Sequence, residues 1–87
     1  MIKRHPQESA IYPTIDTGFA AFLVTSGIKL FKMDMSNPKV KYLFEQDGKA
    51  DITDLKFQWD SGMAVGNVPI FFKTYRSFIR QIKEKNG

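Results

Sequence analysis

The chain of 87 residues contains no cysteine and only one histidine, His5. Without cysteine, disulfides and thiolate metal ligands are excluded, and a reducing compartment such as the cytoplasm is expected. A lone histidine near the N-terminus leaves no obvious general base for nucleophilic catalysis. We therefore expect no metal and no cofactor.

Recognisable catalytic motifs are also missing. No glycines occur at the spacing of a phosphate-binding loop, and no serine has the flanking glycines of a nucleophile elbow. The carboxylates Asp47, Asp51, Asp54 and Asp60 lack the spacing of a calcium loop, so helix capping and solvation explain them better. We predict that the protein is not an enzyme, although carboxylates brought together by the fold would remain an alternative.

No apolar run approaches the length of about 18 residues that a membrane-spanning helix needs, so no membrane partner is expected. Residues 1–10 mix basic and polar side chains without periodicity and are predicted to form a flexible arm. Residues 11–87 are long enough for one domain, and their many aromatic side chains can fill its core.

The stretch from Thr14 to Leu30 has the signals of a short helix. Asp16 or Thr17 can cap its start and Gly27 can end it, which predicts a helix over about 17–26. Its surface is small and apolar, so the helix should be buried. Before it, residues 11–15 surround Pro13 and predict a short strand at a sheet edge.

Two alternating segments after Gly27 predict an antiparallel hairpin, with a turn at residues 36–38. In the second segment Val40, Tyr42 and Phe44 should face the core. In the first segment, alternation predicts Phe31, Met33 and Met35 on one face and Leu30, Lys32 and Asp34 on the other. The hairpin lysines Lys29, Lys32, Lys39 and Lys41 fall on alternating faces, where they either protect a sheet edge or contact nucleic acid.

Two further helices are predicted. Asp51 can cap the first and Gly62 can end it, with Trp59 serving either the core or a partner. Pro69 suits the first position of the second. Its apolar stripe has regular helical spacing and comprises Val68, Phe71, Phe72, Tyr75, Phe78, Ile79 and Ile82.

The last helix also carries a second stripe, which we call the basic stripe: Lys73, Arg76, Arg80 and Lys83. Their spacing of three, four and three places them on one helix face. Residues 69–87 hold five basic and one acidic side chain, and the rest of the chain is balanced, so the net charge of +4 lies here. Such a face can bind phosphates, or it can simply be solvated and complement the helix dipole.

The pattern Thr14, Asp16, Ala20, Ala21, Leu23, Gly27 and Leu30, followed by the strand YLFE and a Lys-rich aromatic helix, resembles a family of small phage and bacterial proteins of unknown function. The resemblance covers residues 11–83. It implies a phage or mobile-element setting in a bacterial cytoplasm. It implies no activity and no functional residues.

Together these patterns predict an α+β domain of order (β)αββαα, with an antiparallel sheet of two or three strands covered on one face by helices. We expect a non-enzymatic, phage-type binding protein whose basic stripe, Lys73, Arg76, Arg80 and Lys83, contacts nucleic acid or another polyanion. The alternative is a protein-interaction module, either a modulator of a host protein or a homodimer, that uses Met63, Ile70 or the hairpin edge.

Overall fold

A computed structural model describes residues 11–36, 38–46 and 51–86, which form a three-stranded antiparallel sheet and three helices. The elements follow in the order β1 (Ile11–Thr14), α1 (Thr17–Thr25), β2 (Leu30–Asp34), β3 (Lys41–Glu45), α2 (Ile52–Ser61) and α3 (Val68–Asn86). The predicted α+β class and order are confirmed. The arm predicted for residues 1–10 lies outside the described residues.

Strand β3 lies between β1 and β2 in the sheet. Both neighbours run antiparallel to it, with Tyr12 of β1 opposite Phe44 and Met33 of β2 opposite Tyr42. The hairpin and the edge position of the first strand are therefore confirmed. Pro13 is tolerated in β1 because an edge strand leaves one row of its backbone groups without a strand partner.

An irregularity in β2 overturns one prediction about the hairpin. Leu30 pairs with Phe44 and Lys32 pairs with Leu43, so Phe31 is an extra residue between two successive pairs. A bulge of this kind shifts the alternation by one residue. Leu30, and not Phe31, therefore joins Met33 and Met35 against the core, while Phe31 is 55% exposed.

Helix α1 begins and ends at the predicted signals. The Asp16 carboxylate accepts a hydrogen bond of 3.0 Å from the Phe19 amide, and Gly27 follows the helix with a φ of 92°. The five residues from Phe19 to Leu23 are all buried, as a helix without charged residues requires. This helix therefore lies at the centre of the layer that covers the sheet.

A continuous set of aromatic contacts joins α1 to the other helices. Trp59 of α2 stacks on Phe22 at a centroid distance of 5.5 Å and also contacts Phe71 of α3 at 6.0 Å. A Cβ added at Gly18 would lie only 2.9 Å from the Trp59 ring, so a glycine permits this close approach. Trp59 is partly buried and packs against the core through these contacts, and whether it also meets a partner stays a prediction.

The ends of α2 and α3 differ in how well the sequence predicted them. Asp51 caps α2 and Gly62 ends it with a φ of 78°, as expected. Helix α3 begins at Val68, and the Asn67 side chain accepts a hydrogen bond of 3.0 Å from the Ile70 amide. The prediction that Pro69 is the first helical residue is therefore wrong by one position, because Asn67 supplies the cap.

The apolar stripe of α3 is only partly buried. Phe78 is buried and contacts Tyr42 of β3 at a centroid distance of 5.0 Å, while Phe71, Tyr75 and Ile82 pack around the core. Val68 and Phe72, at the edge of the stripe, are 59% and 51% exposed. These two residues belong to the predicted stripe but lie outside the core, because seven residues cover a wider arc of the helix than its neighbours can cover.

Candidate nucleic-acid interface

The four residues of the basic stripe are all exposed on α3. They lie away from Phe78, which anchors the opposite side of the helix in the core. From Lys73 to Lys83 the stripe spans about 15 Å, since an α-helix rises 1.5 Å per residue. The structure therefore presents these cations along one side of the molecule.

Three of the four cations line a common depression, which we call the basic groove. It is shallow and open to solvent, and all of its lining residues belong to α3. Arg76, Arg80 and Lys83 supply the cations, while Tyr75 and Ile79 supply apolar surface beside them. Lys73, one turn before Arg76, does not line this groove. It is exposed on the same face of α3 and adds a fourth cation beyond one end of the groove.

The cations of the basic stripe have no carboxylate partner within the described parts of the chain. The ion pairs found there join Lys29 to Glu45 at 4.0 Å and Lys56 to Asp60 at 2.7 Å. Arg76 and Arg80 are instead four residues apart on one helix, a spacing at which like charges repel by about 0.2–0.5 kcal/mol. An external anion would relieve this repulsion.

The hairpin lysines have a different electrostatic environment. Lys29 lies near Glu45. The pKa of Asp34 is lowered first by hydrogen bonds from the Ser36 side chain and backbone, and further by the charges of Lys32 and Lys41. Since three of the four hairpin lysines have a carboxylate nearby, the hairpin is a weaker candidate for an anion site than α3.

The acidic residues of α2 have structural roles. The Asp51 carboxylate accepts from the Thr53 and Asp54 amides at the start of the helix. Asp54 accepts from Gln58, and Asp60 accepts from Lys56. In residues 11–36, 38–46 and 51–86, no three histidine or carboxylate side chains form a group that would hold a metal ion. Asp47 lies outside the described residues.

A second depression, the apolar groove, lies where α2 connects to α3. It has a volume of about 240 Å³, and its lining includes Phe22, Trp59, Val65, Val68, Phe71 and Phe72. The sequence alone does not reveal this groove, because residues 63–67 have no periodicity and Phe72 follows the spacing of the apolar stripe. The one available signal was Asn67, whose capping preference places Val65 outside the helix.

The two grooves are neighbours on α3. Phe72 lines the apolar groove and Arg76, one turn later, lines the basic groove. Phe71 and Tyr75 are likewise four residues apart, and their rings stack at a centroid distance of 6.1 Å. Because side chains four residues apart lie beside each other on a helix, an exposed aromatic ring stands next to the first cation of the basic groove.

No protein-family model, curated protein or solved structure matches this chain. The resemblance to a family of small phage and bacterial proteins therefore stays a prediction. Among the helices of the described residues, none is both long and apolar enough to cross a membrane.

Proposed function

We propose that the protein binds nucleic acid through the basic stripe of α3 and has no enzymatic activity. The observation that carries this proposal is the arrangement of Arg76, Arg80 and Lys83 around one groove without a carboxylate partner in the described residues. Lys73 extends the same face. Since the net charge of the chain also comes from this region, its electrostatic potential attracts polyanions to this side.

Phosphates fit this face for physical reasons. Arginine presents a planar set of donors that binds phosphate oxygens in pairs, and two arginines line the groove. Each phosphate that is neutralised releases counterions, so affinity should fall as salt is raised. A nucleic acid offers phosphates in a row, which matches a row of cations better than a single small anion does.

The direct test measures the affinity of labelled 20-nucleotide single strands and 20-base-pair duplexes at low salt by fluorescence anisotropy. The wild-type chain is compared with a variant in which Lys73, Arg76, Arg80 and Lys83 are all replaced by Ala. With four phosphate contacts, the logarithm of the affinity should fall with the logarithm of salt at a slope of about −2.8 for a single strand. The variant should lose most of this dependence.

A charge-matched control separates the stripe from net charge. Replacing Lys29, Lys32, Lys39 and Lys41 by Ala removes the same four charges from the hairpin and should leave most of the affinity in place. The proposal fails if the wild type binds neither probe, or if the hairpin variant loses as much affinity as the stripe variant.

A second candidate function is self-association through the apolar groove and its surroundings. Five large apolar side chains in the ten residues 63–72 are exposed: Met63, Val65, Val68, Ile70 and Phe72. Exposed apolar surface of this kind is common at contacts between proteins. Light scattering over a range of concentrations tests this candidate. A dimer in the wild type that dissociates in the double variant Val65→Ser, Val68→Ser would favour self-association.

A further inference from the structure

We infer that the ligand is a single-stranded nucleic acid, with its phosphates on the basic stripe and an unstacked base in the apolar groove. This inference rests on the proposed function. A row of cations alone does not distinguish a single strand from a duplex, because both present phosphates. The distinction comes from the aromatic surface beside the cations.

The position of Phe72 is the main reason. Phe72 is 51% exposed, and its ring contacts Phe71 edge to face at a centroid distance of 5.6 Å, so one neighbouring ring helps to hold it while much of the side chain stays accessible. Arg76 follows one turn later on the same helix. Single-strand-binding proteins combine these two features, a cationic path for the backbone and aromatic rings on which bases stack.

The apolar groove supplies the space that a base needs. Its volume of about 240 Å³ exceeds that of a single base, and its lining is mainly aromatic and aliphatic, with Trp59 and Phe71 in the wall. A base that enters it would leave its sugar and phosphate directed toward the neighbouring cations. In a duplex the bases are already stacked and paired, so Phe72 would gain no contact from duplex binding.

The test compares the affinities of a 12-nucleotide thymidine single strand and a 12-base-pair duplex for the wild type, Phe72→Ala and Phe57→Ala. Phe57 is a matched control, since it is a phenylalanine of α2 that is 65% exposed and lines neither groove. Loss of one stacked base should weaken single-strand binding by about 5- to 150-fold in Phe72→Ala. The Phe57→Ala variant should bind like the wild type.

Two further readouts and one further variant belong to the same experiment. Trp59 is the single tryptophan of the chain and lines the apolar groove, so its fluorescence should be quenched by the single strand and unchanged by the duplex. The salt dependence in Phe72→Ala should match the wild type, because no phosphate contact is removed. Phe72→Leu, which keeps an apolar side chain, should be weakened like Phe72→Ala.

The failures of the two proposals are distinguishable. If neither probe binds, the nucleic-acid function itself is wrong. If both probes bind equally, or if Phe72→Ala keeps full affinity for the single strand, the function stands and the single-strand inference is overturned. If Phe72→Ala and Phe72→Leu shift a dimer to monomer without changing nucleic-acid affinity, the apolar groove is an interface between copies, and the inference is likewise overturned.

Discussion

Helices α1 and α3 pack against each other, yet α1 is largely buried and α3 carries an exposed charged face. Helix α1 has no charged residue, and five of its nine residues are buried. Helix α3 buries Phe78 and the side chains around it, while its other side carries the exposed basic stripe. One helix therefore contributes mainly to the stability of the fold, and the other also presents a charged face to solvent.

A chain of 87 residues here combines an aromatic core with an exposed cationic face on a single helix. The aromatic contacts from Phe22 through Trp59 to Phe71 hold α3 firmly along one side. This anchoring leaves the opposite side free of packing constraints. Charge can therefore accumulate on α3 without being buried, whereas any charge placed on α1 would lose its hydration.

The largest expected effect tests the role of α1. Replacing the fully buried Phe19 by Ala should lower the free energy of unfolding by about 3–5 kcal/mol, because it removes ring contacts and leaves a cavity. Denaturant unfolding followed by circular dichroism measures this change. The Phe57→Ala control should change stability by less than about 0.5 kcal/mol, as exposed sites generally do. Equal losses in the two variants would contradict the assignment of α1 to the core.

A smaller effect tests the contact between α1 and the sheet. The Tyr42 and Thr17 hydroxyls are hydrogen-bonded at 2.8 Å, and Tyr42 is fully buried. Replacing Tyr42 by Phe should cost about 1 kcal/mol of stability at neutral pH, since one hydrogen bond is lost. Denaturant midpoints of the two proteins give the difference.

The difference in stability between the wild type and Tyr42→Phe should also depend on pH. Burial raises the pKa of Tyr42 above its ordinary value of 10.0. Above pH 10 the tyrosine of the unfolded chain loses its proton first, so the stabilisation present below pH 10 is lost as the pH rises further. The stability gap between wild type and Tyr42→Phe should therefore narrow above pH 10. A constant gap up to pH 11.5 would contradict the burial of this hydroxyl.

The smallest effect on stability is expected from the basic stripe. Replacing any one of Lys73, Arg76, Arg80 and Lys83 by Ala should change the free energy of unfolding by no more than about 0.5 kcal/mol, and toward greater stability at low salt, because it relieves repulsion between like charges. Thermal unfolding at two salt concentrations measures this. A large destabilisation would mean that the stripe supports the fold, and the contrast with α1 would disappear.

The sequence predicted best those features that local chemistry determines. Asp16, Gly27, Asp51 and Gly62 mark helix ends through side-chain capping or a left-handed backbone, so neighbouring residues suffice to recognise them. The alternation of Val40, Tyr42 and Phe44 likewise predicted which side of β3 and of the residue before it faces the core, and all three side chains are buried.

Features that depend on distant contacts were not predictable in the same way. The bulge at Phe31 arises from the pairing of β2 with β3, and alternation alone gives no sign of it. The exposure of Phe72 depends on how much of α3 its neighbours cover. The apolar groove requires α1, α2 and the connection to α3 to meet, so its lining residues share no sequence pattern.

The most direct test of the binding face is a nuclear magnetic resonance titration of the isotopically labelled protein with a 12-nucleotide thymidine single strand. We expect the largest amide and side-chain shifts to cluster between Phe72 and Lys83 and to include the Trp59 indole, while the hairpin lysines stay nearly unchanged. Shifts centred on Lys29, Lys32, Lys39 and Lys41, or no shifts at saturating oligonucleotide, would contradict the claim that α3 is the nucleic-acid interface.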